Sequence, residues 1–174
     1  MTETSTALSP EDFQGATGAS GEIIERLEIY LDLLKKWQKR FNLVGAASLK
    51  DAWRRHLLDC AQLVPLLPKG EPFVLDLGSG AGFPGVVLAM MSDAQVHMVE
   101  STGRKCVFIK EALRATKTTA EVHNQRIENL PKQSAQVITA RGCAPLERLI
   151  EYAYPHLDHK GWCLFLKGRK VGLE

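Results

Sequence analysis

Residues 73–85 read FVLDLGSGAGFPG, a short apolar run that breaks into alternating glycines. The run reads as a buried strand, and the glycines supply a tight turn at positive φ where backbone, free of side chains, can approach a ligand. Pro84 suits the first turn of a following helix, because its missing N–H is not needed there. Outward from this point the pattern repeats. QVHMVE, TAEVH, AQVITA and WCLFL are further short apolar segments, with helical stretches between several of them. Strands are expected near 73–77, 95–100, 119–123, 135–140 and 162–166, and helices near 84–91, 103–116 and 145–154. Alternation of this kind predicts βαβ units, a parallel sheet and right-handed crossovers. In such a sheet, ligands bind at the carboxyl ends of the strands, where the glycine loop sits.

Upstream the texture is helical. Ile23, Leu27, Tyr30, Leu34, Trp37 and Phe41 recur in steps of four and three, and a second amphipathic helix is expected from about Leu49 to Leu66. Its buried stripe would carry Trp53, Leu57, Cys60 and Val64. Residues 1–21, rich in Ser, Thr, Gly and Ala, read as a flexible lead-in. The expected organisation is therefore a flexible segment 1–21 and a single domain 22–174, with a helical part 22–68 and a Rossmann-like core 73–174. A length of 174 residues with 45% hydrophobic and 24% charged residues suits one globular domain.

No apolar run reaches membrane-spanning length and no secretory leader is visible, so a cytoplasmic protein without a membrane partner is expected. Cys60, Cys106, Cys143 and Cys163 form no C-x-x-C pair and read as small buried hydrophobes, so no metal site is expected. The net charge of +2 does not by itself announce a nucleic-acid binder. Its distribution is more telling, with seven basic residues and a single acid, Asp51, between Lys35 and Arg55. Arg54, Arg55, Arg104, Lys105 and Lys167 are the candidate phosphate contacts.

Two ligands compete for the glycine loop. Gly80 to Gly85 fits G-x-G-x-x-G, the dinucleotide fingerprint, with Glu100 placed 20 residues beyond Gly80. The longer reading, D-x-G-x-G-x-G from Asp76, matches the nucleoside loop of methyltransferases, in which the first acid orients the loop and the acid ending the second strand binds ribose. Asp76 and the lack of room for a separate substrate domain favour the methyltransferase. A nicotinamide-dependent oxidoreductase and a non-catalytic cofactor-binding fragment are the alternatives. No catalytic constellation stands out. His56 and Asp59, spaced i, i+3, read as a helix-packing hydrogen-bond pair.

The loop, together with Asn42-Leu43-Val44, Arg55-His56-Leu57-Leu58-Asp59 and Thr139-Ala140-Arg141, resembles one family over residues 22–168. That family is the bacterial guanine-N7 methyltransferases of 16S small-subunit ribosomal RNA, also called glucose-inhibited division protein B. The resemblance implies a Rossmann-like fold with N-terminal helices, S-adenosyl-L-methionine as cofactor, and ribosomal RNA, within a ribosomal particle, as partner. At matching positions, Asp76, Gly78, Gly80 and Phe83 would form the cofactor loop and Glu100 would hold the ribose. Ile127 and Glu128 would border the adenine, and Arg141 would stand at the methionine end. Cys60 occupies a position where the family usually has Ser. The family also continues past Lys167-Gly168 with a helix and an antiparallel strand pair. With the last residue at Glu174, a C-terminally short version is expected, leaving 162–166 as an apolar edge open to pairing.

Overall fold

The computed structural model describes residues 7–168. Five parallel strands, β1 (Phe73–Leu77), β2 (Gln95–Glu100), β3 (Glu121–Asn124), β4 (Ala135–Arg141) and β5 (Leu157–Leu166), lie in the order β3-β2-β1-β4-β5. The order reverses direction between β1 and its neighbours β2 and β4, which opens a crevice at the carboxyl end of β1. β1 and β2 have the bounds the apolar runs predict. β3 starts two residues later than expected, and β5 begins at Leu157, earlier than expected, with a register shift against β4 between Ala135 and Val137. β5 lies at the sheet edge, as expected for 162–166, and Trp162 on it is exposed.

On one face, Val74, Val96, Met98 and Val137 pack under α2 (Gly21–Gln38), α4 (Gly85–Met91) and α5 (Gly103–Ala115). On the other, Leu75, Leu77, Val99, Ile138 and Ala140 meet Leu149 and Ala153 of α6 (Leu146–Ala153). Among the described residues, no helix is long and apolar enough to cross a membrane.

Two expectations from the N-terminal region are corrected. Residues 10–17 form α1 (Pro10–Thr17), where a flexible lead-in was expected. Local chemistry explains the helix: the Ser9 side chain accepts from the Asp12 N–H, Asp12 accepts from the Ser9 N–H, Pro10 takes the first turn, and Gly18 closes the end at φ 69°. The low-complexity composition hid one anchor, Phe13, which is fully buried with its ring 5.2 Å from that of Trp53. The second correction is to the continuous helix over 49–66. That segment is a chain of short pieces: a 3-10 turn Ala46–Asp51, a π-helical turn Trp53–Leu58, α3 (Asp59–Ala61) and a 3-10 turn Val64–Leu66. Leu57 and Cys60 are buried as the stripe predicts, while Trp53 and Val64 are half-buried. Cys106 is also buried, but Cys143 is exposed and Cys163 half-buried, so the reading of all four thiols as core residues holds for only two.

Phe13→Ala is expected to lower unfolding stability by about 3–4 kcal/mol, the cost of emptying a fully buried aromatic site. Urea unfolding measures it. Unchanged stability would mean that α1 adds nothing to the fold.

Candidate functional site

The glycine loop hangs from two carboxylates at the ends of adjacent strands. Asp76, on β1, is completely buried; one oxygen accepts from Thr139 Oγ1 of β4 at 3.0 Å and the other from the Gly85 N–H at 3.2 Å. Glu100, the last residue of β2, accepts from the Gly80 N–H at 2.9 Å and the Thr102 N–H at 2.7 Å. Between them the chain curls tightly, with Gly82 and Phe83 both donating to the Ser79 carbonyl. Gly78 has φ 65°, and a Cβ there would lie 2.3 Å from Cys143 Sγ, so only glycine fits. From behind, the Tyr30 hydroxyl on α2 donates to the Ala81 carbonyl at 2.6 Å.

In front of the loop lies a cleft of about 620 Å³. Gly78, Gly80 and Glu100 form its floor, Ile127 and Glu128 one wall, and His56, Phe83 and Arg141 another. The second wall is a packed stack. The Phe83 ring lies 4.9 Å from His56 at an interplanar angle of 18°, and the Arg141 guanidinium stands 4.5 Å from the Phe83 centroid. Arg141 also donates to the Arg55 carbonyl at 3.2 Å, tying the end of β4 to the π-helical turn. Glu128 accepts from the Tyr152 hydroxyl at 2.9 Å; its own backbone N–H first, and then this bond, hold its carboxyl below the usual range.

Burial pushes His56 down to about 4, and the nearby Arg141 and Arg55 act in the same direction. Its ring is therefore neutral at pH 7. His56 Nε2 bonds Ser48 Oγ at 2.8 Å and its Nδ1 has no partner, so the expected pairing with Asp59 is replaced by one with Ser48. The π-helical turn accounts for this: its wider winding separates His56 and Asp59, which a regular α-helix would have kept on one face.

The family described as "GidB: rRNA small subunit methyltransferase G" matches residues 23–174. The chain belongs to this family. Relatives named ribosomal RNA small subunit methyltransferase G include one from Paramagnetospirillum magneticum, 52% identical over 93% of this chain and 79% of its own length. A second, from Rhodospirillum rubrum, is 51% identical over 96% of this chain and 83% of its own. Among solved structures, a TehB-like SAM-dependent methyltransferase from Corynebacterium glutamicum superposes with a TM-score of 0.56 at 13% identity, covering 82% of this chain and 74% of that one. A SAM-dependent methyltransferase from Thiobacillus denitrificans, solved with S-adenosyl-L-homocysteine, gives 0.55 at 18% identity over 62% of this chain and 47% of its own. These two similarities concern the fold.

Of the residues this family resemblance singles out, Gly78, Gly80, Phe83, Glu100, Ile127, Glu128 and Arg141 all line the cleft. Asp76 does not; it sits beneath the loop and positions it, as the acid that orients such a loop would. Phe83 is only 2% exposed, which makes it more a support for Arg141 than an open contact surface. Of the candidate phosphate contacts, Lys105 lines the cleft and Arg55 is exposed beside it. Arg54 pairs with Asp51 at 3.0 Å, Arg104 stands over the Phe41 ring at 5.2 Å, and Lys167 donates to the Ala144 carbonyl at 3.0 Å, all outside the cleft. Tyr30 and Ser48 escape sequence reasoning. Tyr30 looked like one more residue of an apolar helix stripe, and nothing local marks Ser48.

Burial raises Asp76 from 3.8 to about 6, against the hydrogen bonds that favour its charged form. The folded protein then holds this proton more tightly than the unfolded chain between those values. The contribution to stability is full below 3.8 and is lost as pH rises through about 6. Asp76→Asn removes the titration and can keep both contacts, its oxygen accepting from Gly85 and its amide donating to Thr139. Urea unfolding of both proteins from pH 4 to 7 should show the wild type losing stability relative to the variant, on the order of 3 kcal/mol across the window. His56 runs in the opposite sense but is common to both proteins. A difference independent of pH would contradict the assignment.

Proposed function

We propose that the chain transfers the methyl group of S-adenosylmethionine to N7 of a guanine in small-subunit ribosomal RNA. One observation carries the reading: Glu100 ends β2 at the floor of a cleft whose base is glycine backbone. The site fits a nucleoside cofactor. A Cβ built at Gly80 would meet nothing nearer than the Gly78 carbonyl at 3.9 Å, so the floor is open to a ligand. The cleft volume is also that of a small-molecule site. Gly78 and Gly80 would cradle the nucleoside, Glu100 would accept from the ribose hydroxyls, and Ile127 and Glu128 would border the adenine. Arg141, braced by Phe83, would stand at the methionine end. Residues 22–68 and 73–174 act here as one domain.

Bound S-adenosylmethionine supplies an electrophilic sulfonium methyl. Guanine N7 presents a lone pair and carries no proton, so the protein needs no general base. His56, pushed down to about 4, is a weak base and agrees with this, and the chain's task reduces to alignment and to electrostatics around the reacting atoms.

RNA duplexes have a deep, narrow major groove that side chains cannot enter, so the target guanine must lie in an opened or looped region. Lys105 and Arg55 beside the cleft, with Arg54, Arg104 and Lys167 farther out, would hold surrounding phosphates. Phosphate contacts position but do not specify a nucleotide, which favours a folded ribosomal particle over naked RNA. Such a substrate places the reaction in the cytoplasm.

Transfer of tritiated methyl is the test, using ribosomal particles, deproteinised ribosomal RNA and transfer RNA, with products resolved as nucleosides. Labelled 7-methylguanosine from ribosomal substrates alone is expected, with transfer abolished in Gly80→Val. Label in transfer RNA or on another atom would overturn the proposal.

A further inference from the structure

Beneath the cleft, on the α6 side of the sheet, β2 and β3 carry polar side chains on a face that is apolar elsewhere. His97 of β2 lies in register with Leu75 of β1 and Glu121 of β3, and His123 lies in register with Val99. In-register neighbours share a face, and on this one Leu75, Leu77 and Val99 join the cluster under α6. That helix serves the crossover from β4 to β5. The connection from β3 to β4 holds only the 3-10 turn Ile127–Asn129, with no crossover helix, and the His97 and His123 side chains keep 24% and 28% of their surface in solvent.

The three side chains converge there. His97 Nδ1 and His123 Nε2 are 3.2 Å apart, and Glu121 Oε2 is 3.7 Å from each. The centre of such a triangle is roughly 2.1 Å from every corner, the length of a Zn–N or Zn–O bond. The donors also belong to the class a borderline-soft divalent cation selects, two imidazoles and one carboxylate. We infer that His97, Glu121 and His123 form a binding site for a zinc-class divalent cation, with water in the remaining position. The cation replaces the single His97–His123 hydrogen bond. Each histidine then presents the named nitrogen unprotonated and keeps its proton on the other ring nitrogen. Phe73, its ring edge-on to His97 with centroids 4.7 Å apart, restricts that imidazole. A cation held here links the edge strand β3 to β2. It plays no part in the methyl-transfer reading, because its ligands precede the strand ends that form the cleft.

The experiment uses the untagged full chain, stripped with a chelator and titrated with Co²⁺ and then Zn²⁺, without cofactor or RNA. One equivalent of Co²⁺ should develop the intense visible absorption of a four-coordinate site and lose it on addition of Zn²⁺. Zn²⁺ should also raise the melting temperature. Glu121→Gln and His123→Gln should each weaken Zn²⁺ binding about tenfold or more and remove the thermal shift. Glu121 is 65% exposed, so its variant keeps the fold, which circular dichroism verifies. Cys143→Ser and His159→Gln should bind as the wild type does. Absence of the Co²⁺ band, equal Zn²⁺ affinity in wild type and Glu121→Gln, or loss of binding in Cys143→Ser would each overturn the site.

Discussion

Two carboxylates at the ends of neighbouring parallel strands hold a glycine loop from opposite sides, and the rest of the site depends on that suspension. Asp76 fixes the far end of the loop through the Gly85 N–H, and Glu100 fixes its middle through the Gly80 N–H. Backbone N–H groups that would otherwise be left without protein partners are satisfied by charged acceptors, which make stronger hydrogen bonds than neutral ones. Strand order does the rest. β1 lies between β2 and β4, so the loop leaves the sheet where the crevice opens, and Thr139 of β4 closes the clamp on Asp76 from the other side.

The N-terminal helices belong to the same construction. The Tyr30 hydroxyl reaches the Ala81 carbonyl, and its ring lies 5.2 Å from that of Phe83. Phe83 in turn supports His56 and Arg141. The wall of the cleft is therefore built from three parts of the chain distant in sequence, the π-helical turn, the glycine loop and the end of β4, with α2 supporting it from behind. An i→i+5 turn at such a place is a common local irregularity at functional sites. Here it presents the Arg55 carbonyl to Arg141 while His56 turns toward Ser48.

Much of this was legible in the residues. β1 is an apolar run buried on both faces, β2 is apolar and buried at Val96, Met98 and Val99, and both are bounded by loop signals, so their limits follow from composition alone. The glycine loop was legible because its conformation demands glycine at particular positions, as the Cys143 contact at Gly78 demonstrates. What could not be read depended on tertiary partners. Phe13 is an isolated aromatic in a polar stretch, and only Trp53 gives it a place. The broken path of 46–66 keeps the apolar spacing of a helix while answering to contacts with Asp76's loop and Arg141. His97 and His123 are 26 positions apart, and strand pairing alone brings them together. Asp76 was identified correctly as the loop's acid, but spacing cannot distinguish an acid under the loop from one that faces the ligand.

In the proposed function the Glu100-anchored loop forms a nucleoside site for a sulfonium cofactor. Calorimetric titration of the wild-type chain and Glu100→Ala with S-adenosylhomocysteine, and of the wild type with NAD, tests it most directly. Saturable wild-type binding of S-adenosylhomocysteine, none of NAD, and an affinity about tenfold or more weaker in Glu100→Ala are predicted, the last matching a charged hydrogen bond of roughly 1.5–3 kcal/mol. Binding of NAD in preference to S-adenosylhomocysteine, or unchanged affinity in Glu100→Ala, would contradict it.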